Sequence, residues 1–259
     1  AHDVIVDAAK KQMERLCLTS RAFHNNVMGD FLEKVSKLSG FGKVLPMNSG
    51  AEGVETALKL SRRWGYRKKG IPNGEAKVVV CEGNFHGRTI TIVGFSTDPT
   101  ARTGFGPFTP GFKVVPFGDA EALEAAITPN TAGFLVEPIQ GEAGVIIPPD
   151  GYLKAVRKIC DDNDVLLIAD EVMTGWYRTG KTFAMQNWDV TPDIMTTAKG
   201  CTSAYTPLGI TATNQKVAEF FEDEFFCHGH TYAYHALALS AVVPALAEYE
   251  KLMATGRVP

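Results

Sequence analysis

"VLLIADEVMTG", Val165 to Gly175, decides how this chain is read. Four large aliphatic residues and an alanine form an unbroken apolar run, the pattern of a strand covered on both faces. The run then meets Asp170 and Glu171 before reaching Thr174 and Gly175. A buried carboxylate is costly unless another group pairs with it. Something must therefore wait where this strand ends.

Working outward, "KVLPM", "AKVVVCE", "FKVVPF", "AGFLVE", "DIMTTAK" and "LGITAT" read as further strands. Helical patterns lie between them: Val4–Leu16, Asn25–Leu38, about Gly50–Tyr66, a short one in "GRTITIVGFS", Asp119–Ile127, Tyr152–Cys160, and His235 to about Met253. Val54, Ala57, Leu58 and Ser61 recur on one helical face, as do Leu153, Val156, Ile159 and Cys160. Strands alternating with helices predict an α/β fold, a mostly parallel mixed sheet covered by helices. No repeat, low-complexity tract or linker divides the 259 residues, so a single domain, 1–259, is expected. Ligands in such sheets gather at the carboxyl ends of strands, where Asp170 stands.

The bulk properties narrow the classes. A net charge of -3 argues against a nucleic-acid partner. Five cysteines without paired spacing predict reduced thiols and a cytoplasmic location, or a mitochondrial matrix. The longest apolar stretch, Ala236 to Ala247, holds Ser240 and Pro244 and is too short to span a bilayer, so no membrane is expected. The chain shows no secretory leader pattern and enters a helical pattern at once, as though starting inside a domain.

Lys199 is the residue expected near Asp170. It closes the strand-like "DIMTTAK", and Gly200 follows. A strand-end lysine near a strand-end aspartate suits pyridoxal phosphate (PLP): the lysine forms a Schiff base with the aldehyde, and the aspartate keeps the pyridine nitrogen protonated. Each residue alone also reads blandly, Lys199 as a surface lysine and Asp170 as a cap. "NSGAEG", Asn48 to Gly53, adds a turn of small residues, Ser49, Gly50 and Ala51, whose backbone N–H groups suit a phosphate at a helix N-terminus. In "EGNFHGRT", Phe85 suits the ring face and Arg88 a carboxylate grip, with core packing the plain alternative for Phe85. Val172 follows Asp170 by two, which in an extended segment sends it to the same side.

Here the motifs reach a resemblance. "VLPMNSGAEGVETALKLSRRWGY", "GNFHGRT", "GFGPFTPGF", "VEPIQGEAGV" and "IADEVMTGWYRTG" resemble class III PLP-dependent aminotransferases, the ornithine aminotransferase branch above all. From "FAMQNWDVTPDIMTTAKG" through "FFCHGHTYAYH" the likeness shifts toward taurine–pyruvate and other ω-amino acid–pyruvate aminotransferases. The resemblance implies a fold type I PLP-dependent transferase large domain in a homodimer with sites at the subunit interface. It implies transamination from an ornithine-like ω-amino donor to a 2-oxo acid acceptor. Lys199 then matches the Schiff-base lysine, Asp170 the pyridine-nitrogen aspartate, and Ser49, Gly50 and Ala51 the phosphate loop. Phe85 and Val172 match the residues on the two ring faces, and Thr231 the threonine that reaches the neighbouring subunit's phosphate. Arg88 matches the substrate-carboxylate arginine, and Glu142 a gate glutamate that pairs with a C-terminal arginine.

The departures matter as well. Met173 stands where the ornithine branch has a glutamine near the cofactor hydroxyl. The family's N-terminal segment and C-terminal small domain are expected to be missing, leaving the cofactor-binding large domain. Alternatives are taurine or β-alanine–pyruvate transamination, a decarboxylase or aminomutase on the same domain, and a catalytically incomplete fragment or non-catalytic relative. "CHGHTYAYH" raises a zinc site, but no second cluster at ligand spacing supports it, so no metal is expected. "RRWGYRKK", Arg62 to Lys69, is read as the solvated end of a helix rather than a nucleic-acid patch.

Overall fold

Seven strands lie side by side in a computed structural model that describes residues 1–20 and 22–256. They are β1 (Lys43–Met47), β2 (Lys77–Cys81), β3 (Phe112–Val115), β4 (Thr131–Val136), β5 (Leu166–Asp170), β6 (Ile194–Thr197) and β7 (Gly209–Thr213). Their order is β1-β7-β6-β5-β4-β2-β3. Every pairing from β3 across to β6 is parallel, and β7 alone runs backwards, antiparallel to both β6 and β1. The helices are α1 (Asp3–Arg15), α2 (Met28–Ser39), α3 (Gly50–Trp64), α4 (Ile90–Gly94), α5 (Pro99–Arg102), α6 (Ala120–Ala126), α7 (Tyr152–Asp162), α8 (Gln215–Asp223), α9 (Ala236–Ser240) and α10 (Val242–Ala254). The expected mostly parallel mixed sheet under helices is what forms.

The period of two along each strand divides the core into two layers. Leu167 and Ala169 of β5 join Phe134 and Val136 of β4 and Val79 and Cys81 of β2 against α6 and α7. Leu166 and Ile168 join Leu135, Val78 and Val80 against Val54, Ala57, Leu58 and Trp64 of α3. Parity then sends Asp170 to the α3 side, because it follows Leu166 and Ile168 by steps of two. A third cluster packs α2, α9 and α10 around Phe31, Trp176, Phe183 and Leu246.

Glu171 has the opposite parity and a structural task. Its carboxylate accepts from Thr174 Oγ1 (2.5 Å), Ala184 N (2.9 Å) and Met185 N (2.8 Å), tying the 171–185 loop to the end of β5. Glu171→Ala should orphan these buried donors at about 1–3 kcal/mol each. We expect roughly 3 kcal/mol of destabilisation, a fall in Tm of about 6–12 °C for a chain of this size. An unchanged thermal unfolding curve would remove Glu171 from this role.

Four local expectations are corrected. The helix expected from His235 to about Met253 divides at Ala241, since Pro244 has no N–H for an intrahelical bond and is accommodated in the first turn of α10. Helix α8, capped by Asn214 Oδ1 on the Val217 amide, was not anticipated. The basic run Arg62 to Lys69 is a solvated helix end only in part: Arg67 and Lys68 are exposed, but the run continues past α3 through a π-helical turn, Gly65–Lys69, and engages the protein's own groups. There Arg62 lies over Phe112, Arg63 and Arg67 meet Glu224, and Lys69 Nζ donates to the carbonyls of Thr131, Asn163 and Asp164. Finally, Val172 is not in an extended segment: β5 stops at Asp170, and a turn follows. All five cysteines are free, and burial pushes the thiols of Cys81, Cys160 and Cys201 up to about 12, which keeps them unreactive. No helix among the described residues is long and apolar enough to cross a membrane.

Candidate active site

The carboxyl ends of β4, β5 and β6 and the N-terminus of α3 enclose a cavity of about 190 Å³. Gly50, Ala51, Phe85, His86, Glu137, Asp170, Val172 and Lys199 all line it. Parallel strands deliver their ends to one side of the sheet, which is why residues so distant in sequence meet here.

Asp170 finds its partner in His86 rather than in Lys199. The imidazole Nδ1 lies 2.7 Å from Asp170 Oδ2, and the Val172 amide donates to Oδ1 at 3.0 Å. This second bond folds the turn back over the strand end and brings Val172 to the cavity. Burial alone would lower the His86 pKa, but the hydrogen bond and charge of Asp170, with Glu137 behind, raise it above its ordinary value. His86 Nε2 is buried with no hydrogen-bond partner. Glu137 directly follows β4 and Asp170 ends β5, each one residue beyond the Val136–Ala169 register pair. Neither His86 nor Glu137 was among the residues expected at the site. A signal was present for Glu137, which closes an apolar run just as Asp170 does.

Lys199 follows β6 in a short 3-10 turn, Lys199–Thr202, with φ of 41°. A lysine in the left-handed region is strained, which fixes the direction in which its side chain leaves the sheet. Among the described residues it has no hydrogen bond or ion pair, and it is exposed. It also lines a larger cavity of about 820 Å³ with Met173, Trp176, Tyr177, Tyr249 and Leu252. These residues therefore leave the lysine amine open to solvent.

At α3, Ser49 is the N-cap: its Oγ accepts from the Glu52 amide at 3.2 Å, and Glu52 Oε2 accepts from the Asn48 amide at 2.7 Å. The cap does not use the amides of Gly50 and Ala51, which line the cavity and suit an anion at a helix N-terminus. Two glycines permit this packing. A Cβ on Gly209 would stand 2.0 Å from the Ser49 carbonyl oxygen, and one on Gly50 2.9 Å from Val172 Cγ2.

Arg88 and Glu142 line a neighbouring cavity of about 330 Å³, which shares Phe85, His86 and Gly87 with the first as a common wall. The Arg88 guanidinium lies 5.3 Å from the Phe85 ring centroid. Thr231 is on an exposed turn and joins neither cavity in this chain. The adjoining histidines are engaged locally: His228 Nε2 meets Thr56 Oγ1 at 2.7 Å, its Nδ1 meets Lys59 Nζ at 3.0 Å, and His230 Nδ1 lies 3.7 Å from Glu52.

Chemically, the cavity suits a flat ligand carrying an anion, a cationic ring nitrogen and an electrophilic carbon. The amides of α3 would meet the first, Asp170 the second and the free Lys199 amine the third.

Comparison with known proteins gives the same direction. The chain is 49% identical to the ornithine aminotransferase of Brevibacillus brevis over 245 residues, which cover 95% of this chain and 61% of that one. It is 50% identical to the ornithine aminotransferase of Bordetella pertussis, covering 95% and 59%. These alignments include the C-terminal third as well as the front. A solved structure, an ornithine aminotransferase from Toxoplasma gondii with PLP at partial occupancy in its active site, superimposes with a TM-score of 0.93 at 41% identity, over 98% of this chain and 60% of that one. The chain thus spans about 60% of the length of these relatives. The model of the class-III aminotransferases matches residues 1–257, nearly end to end, and the chain belongs to that family.

Proposed function

We propose that the protein transfers an amino group from an ornithine-like ω-amino donor to a 2-oxo acid, with PLP held in the Lys199 cavity. The observation that carries this reading is one cavity lined by an unengaged lysine amine, a carboxylate paired only with an imidazole and a backbone amide, and a helix N-terminus. The fit is specific in its chemistry, since the orphaned His86 Nε2 and the open Gly50–Ala51 amides mark a site built around more than its own side chains. When bound, PLP supplies an aldehyde for the lysine and a protonated ring that draws electron density from the substrate carbon.

The chain's residues divide the remaining work. Lys199 is the nucleophile toward the aldehyde and afterwards moves the proton at the substrate carbon. Asp170, oriented by His86, holds the ring nitrogen charged. Ser49, Gly50 and Ala51 hold the phosphate, and Phe85 and Val172 flank the ring. Arg88 binds the substrate carboxylate, and Glu142 beside it acts as the gate. Residues 1–259 form the cofactor-binding large domain, and the assembly is a cytoplasmic homodimer in which Thr231 reaches the phosphate of the second copy. Cover for the exposed Lys199 comes from the rest of that assembly, which excludes water and strengthens each electrostatic contact.

A panel of amines tests the reading by single-turnover spectroscopy. Ornithine should discharge the cofactor fastest, and response to taurine or β-alanine alone would overturn the choice of donor. Arg88→Lys keeps the charge but loses the planar two-point grip. We expect its use of carboxylate-bearing substrates to weaken by about 10- to 100-fold, the worth of a hydrogen bond to a charged group. Amines lacking a carboxylate should be little affected, and equal loss for both classes would make Arg88 structural.

A further inference from the structure

Glu137 is a buried carboxyl that the mechanism above does not use. It is 5% exposed and lies at the end of β4, beside Asp170 in the sheet. Its Oε2 accepts from the Phe85 amide at 3.1 Å, and the nearby Gly141 amide also favours its charged form. It shares the 190 Å³ cavity with His86, Asp170 and Lys199. Among the described residues no lysine or arginine pairs with it, so the cationic form of His86 is its nearest compensation.

We propose that Glu137 is a positioning residue with two tasks: it holds Phe85 through the Phe85 amide, and its charge sets how much negative potential the His86–Asp170 pair presents to a cationic ring nitrogen. Its meaning for the cofactor rests on the function proposed above, whereas its coupling to His86 does not.

A charge count shows the effect. When His86 carries its proton, its charge offsets that of the Asp170 carboxylate it meets at 2.7 Å. With Glu137 neutral, the cluster offers no net charge to an arriving cation, and with Glu137 ionised it offers one negative charge. Burial pushes the Glu137 carboxyl up, His86 pulls it down and Asp170 pushes it up again, leaving it at about 7. The groups facing it are His86 and the Phe85 amide from the loop after β2, Cys81 on β2, Asp170 on β5, the Gly141 amide, and Lys199 across the cavity. Of these, His86 and Asp170 carry the coupling. The sign follows: as pH rises through about 7, Glu137 ionises and affinity for a ring cation increases.

Two variants separate the tasks. Glu137→Gln keeps an oxygen to accept from the Phe85 amide but cannot ionise, and Glu137→Leu loses both. PLP affinity of the cofactor-free protein is measured from pH 6 to pH 8.5 by equilibrium titration, which needs no turnover. The parent should bind as Glu137→Gln does near pH 6 and on the order of tenfold tighter above pH 8, the equivalent of one pKa unit of coupling. Glu137→Leu should bind more weakly than Glu137→Gln at every pH. NMR titration of His86 in the cofactor-free proteins gives an independent reading, and Glu137→Gln should lower its pKa by removing a nearby negative charge. Parallel affinity profiles together with an unchanged His86 titration would overturn the proposal. A parent protein that binds no PLP, yet shows the His86 shift, would count against the cofactor reading and in favour of the Glu137 coupling.

Discussion

Lys199→Ala is expected to lose covalent attachment of the cofactor and transamination together. The substitution should leave the fold intact, because Lys199 has no hydrogen bond or ion pair among the described residues and its side chain is exposed. Alanine at φ of 41° bears a backbone strain similar to that of lysine. What disappears is the only side-chain amine that lines the cavity among the described residues. Loss of proton transfer alone costs about 10²–10⁴-fold, and loss of the nucleophile adds to it. Borohydride reduction followed by peptide mass analysis checks this directly. The parent should carry the reduced label on Lys199 and the variant should carry none. A label on another lysine in the variant would move the anchor elsewhere.

Asp170→Asn should fail in a different way. The amide oxygen can still accept from Val172 N, and the amide NH₂ can face His86 Nδ1 once the imidazole carries its proton on Nε2. Geometry should therefore change little, while the negative charge is lost and cofactor affinity falls with it. A preorganised electrostatic partner in a dry site is worth about 10²–10³-fold in rate, and we expect a loss of at least that size. The measurement is turnover at saturating cofactor alongside the equilibrium affinity. Equal rates for parent and variant would remove Asp170 from the electrostatic role. Loss of binding without loss of rate in the bound fraction would make it a purely structural ligand.

The two residues behind these predictions were legible because each ends an apolar strand run, and strand ends in a parallel sheet are where ligands bind. The Ser49–Gly50–Ala51 turn was legible for a similar local reason, as small residues at a strand-to-helix junction. Glu137 satisfies the same rule as Asp170 and could have been found by applying it to "AGFLVE". His86 could not: it stands 84 positions from Asp170, and only the closing of β2, β4 and β5 into one sheet brings the two within 2.7 Å. Val172 reached the cavity for a reason other than the one its spacing suggested, since a turn and not a strand carries it there.

The sequence by itself determined the alternation of strands and helices, the strand faces, and that Asp170, Lys199 and the Ser49–Gly50–Ala51 turn stand at or just beyond strand ends. Those are local matters, set by a period of two or of 3.6 and by the conformational range of small residues. The tertiary structure decided which charges are spent inside the protein and which remain available. It set Arg62, Arg63, Arg67 and Lys69 against the protein's own groups, and it gave Glu171 to a loop and Asp170 to an imidazole. It also placed Arg88 and Glu142 in a second cavity, behind the wall of Phe85 and His86. The physical reason is that a buried charge is tolerated only with a partner, and partners come from wherever the chain returns in space.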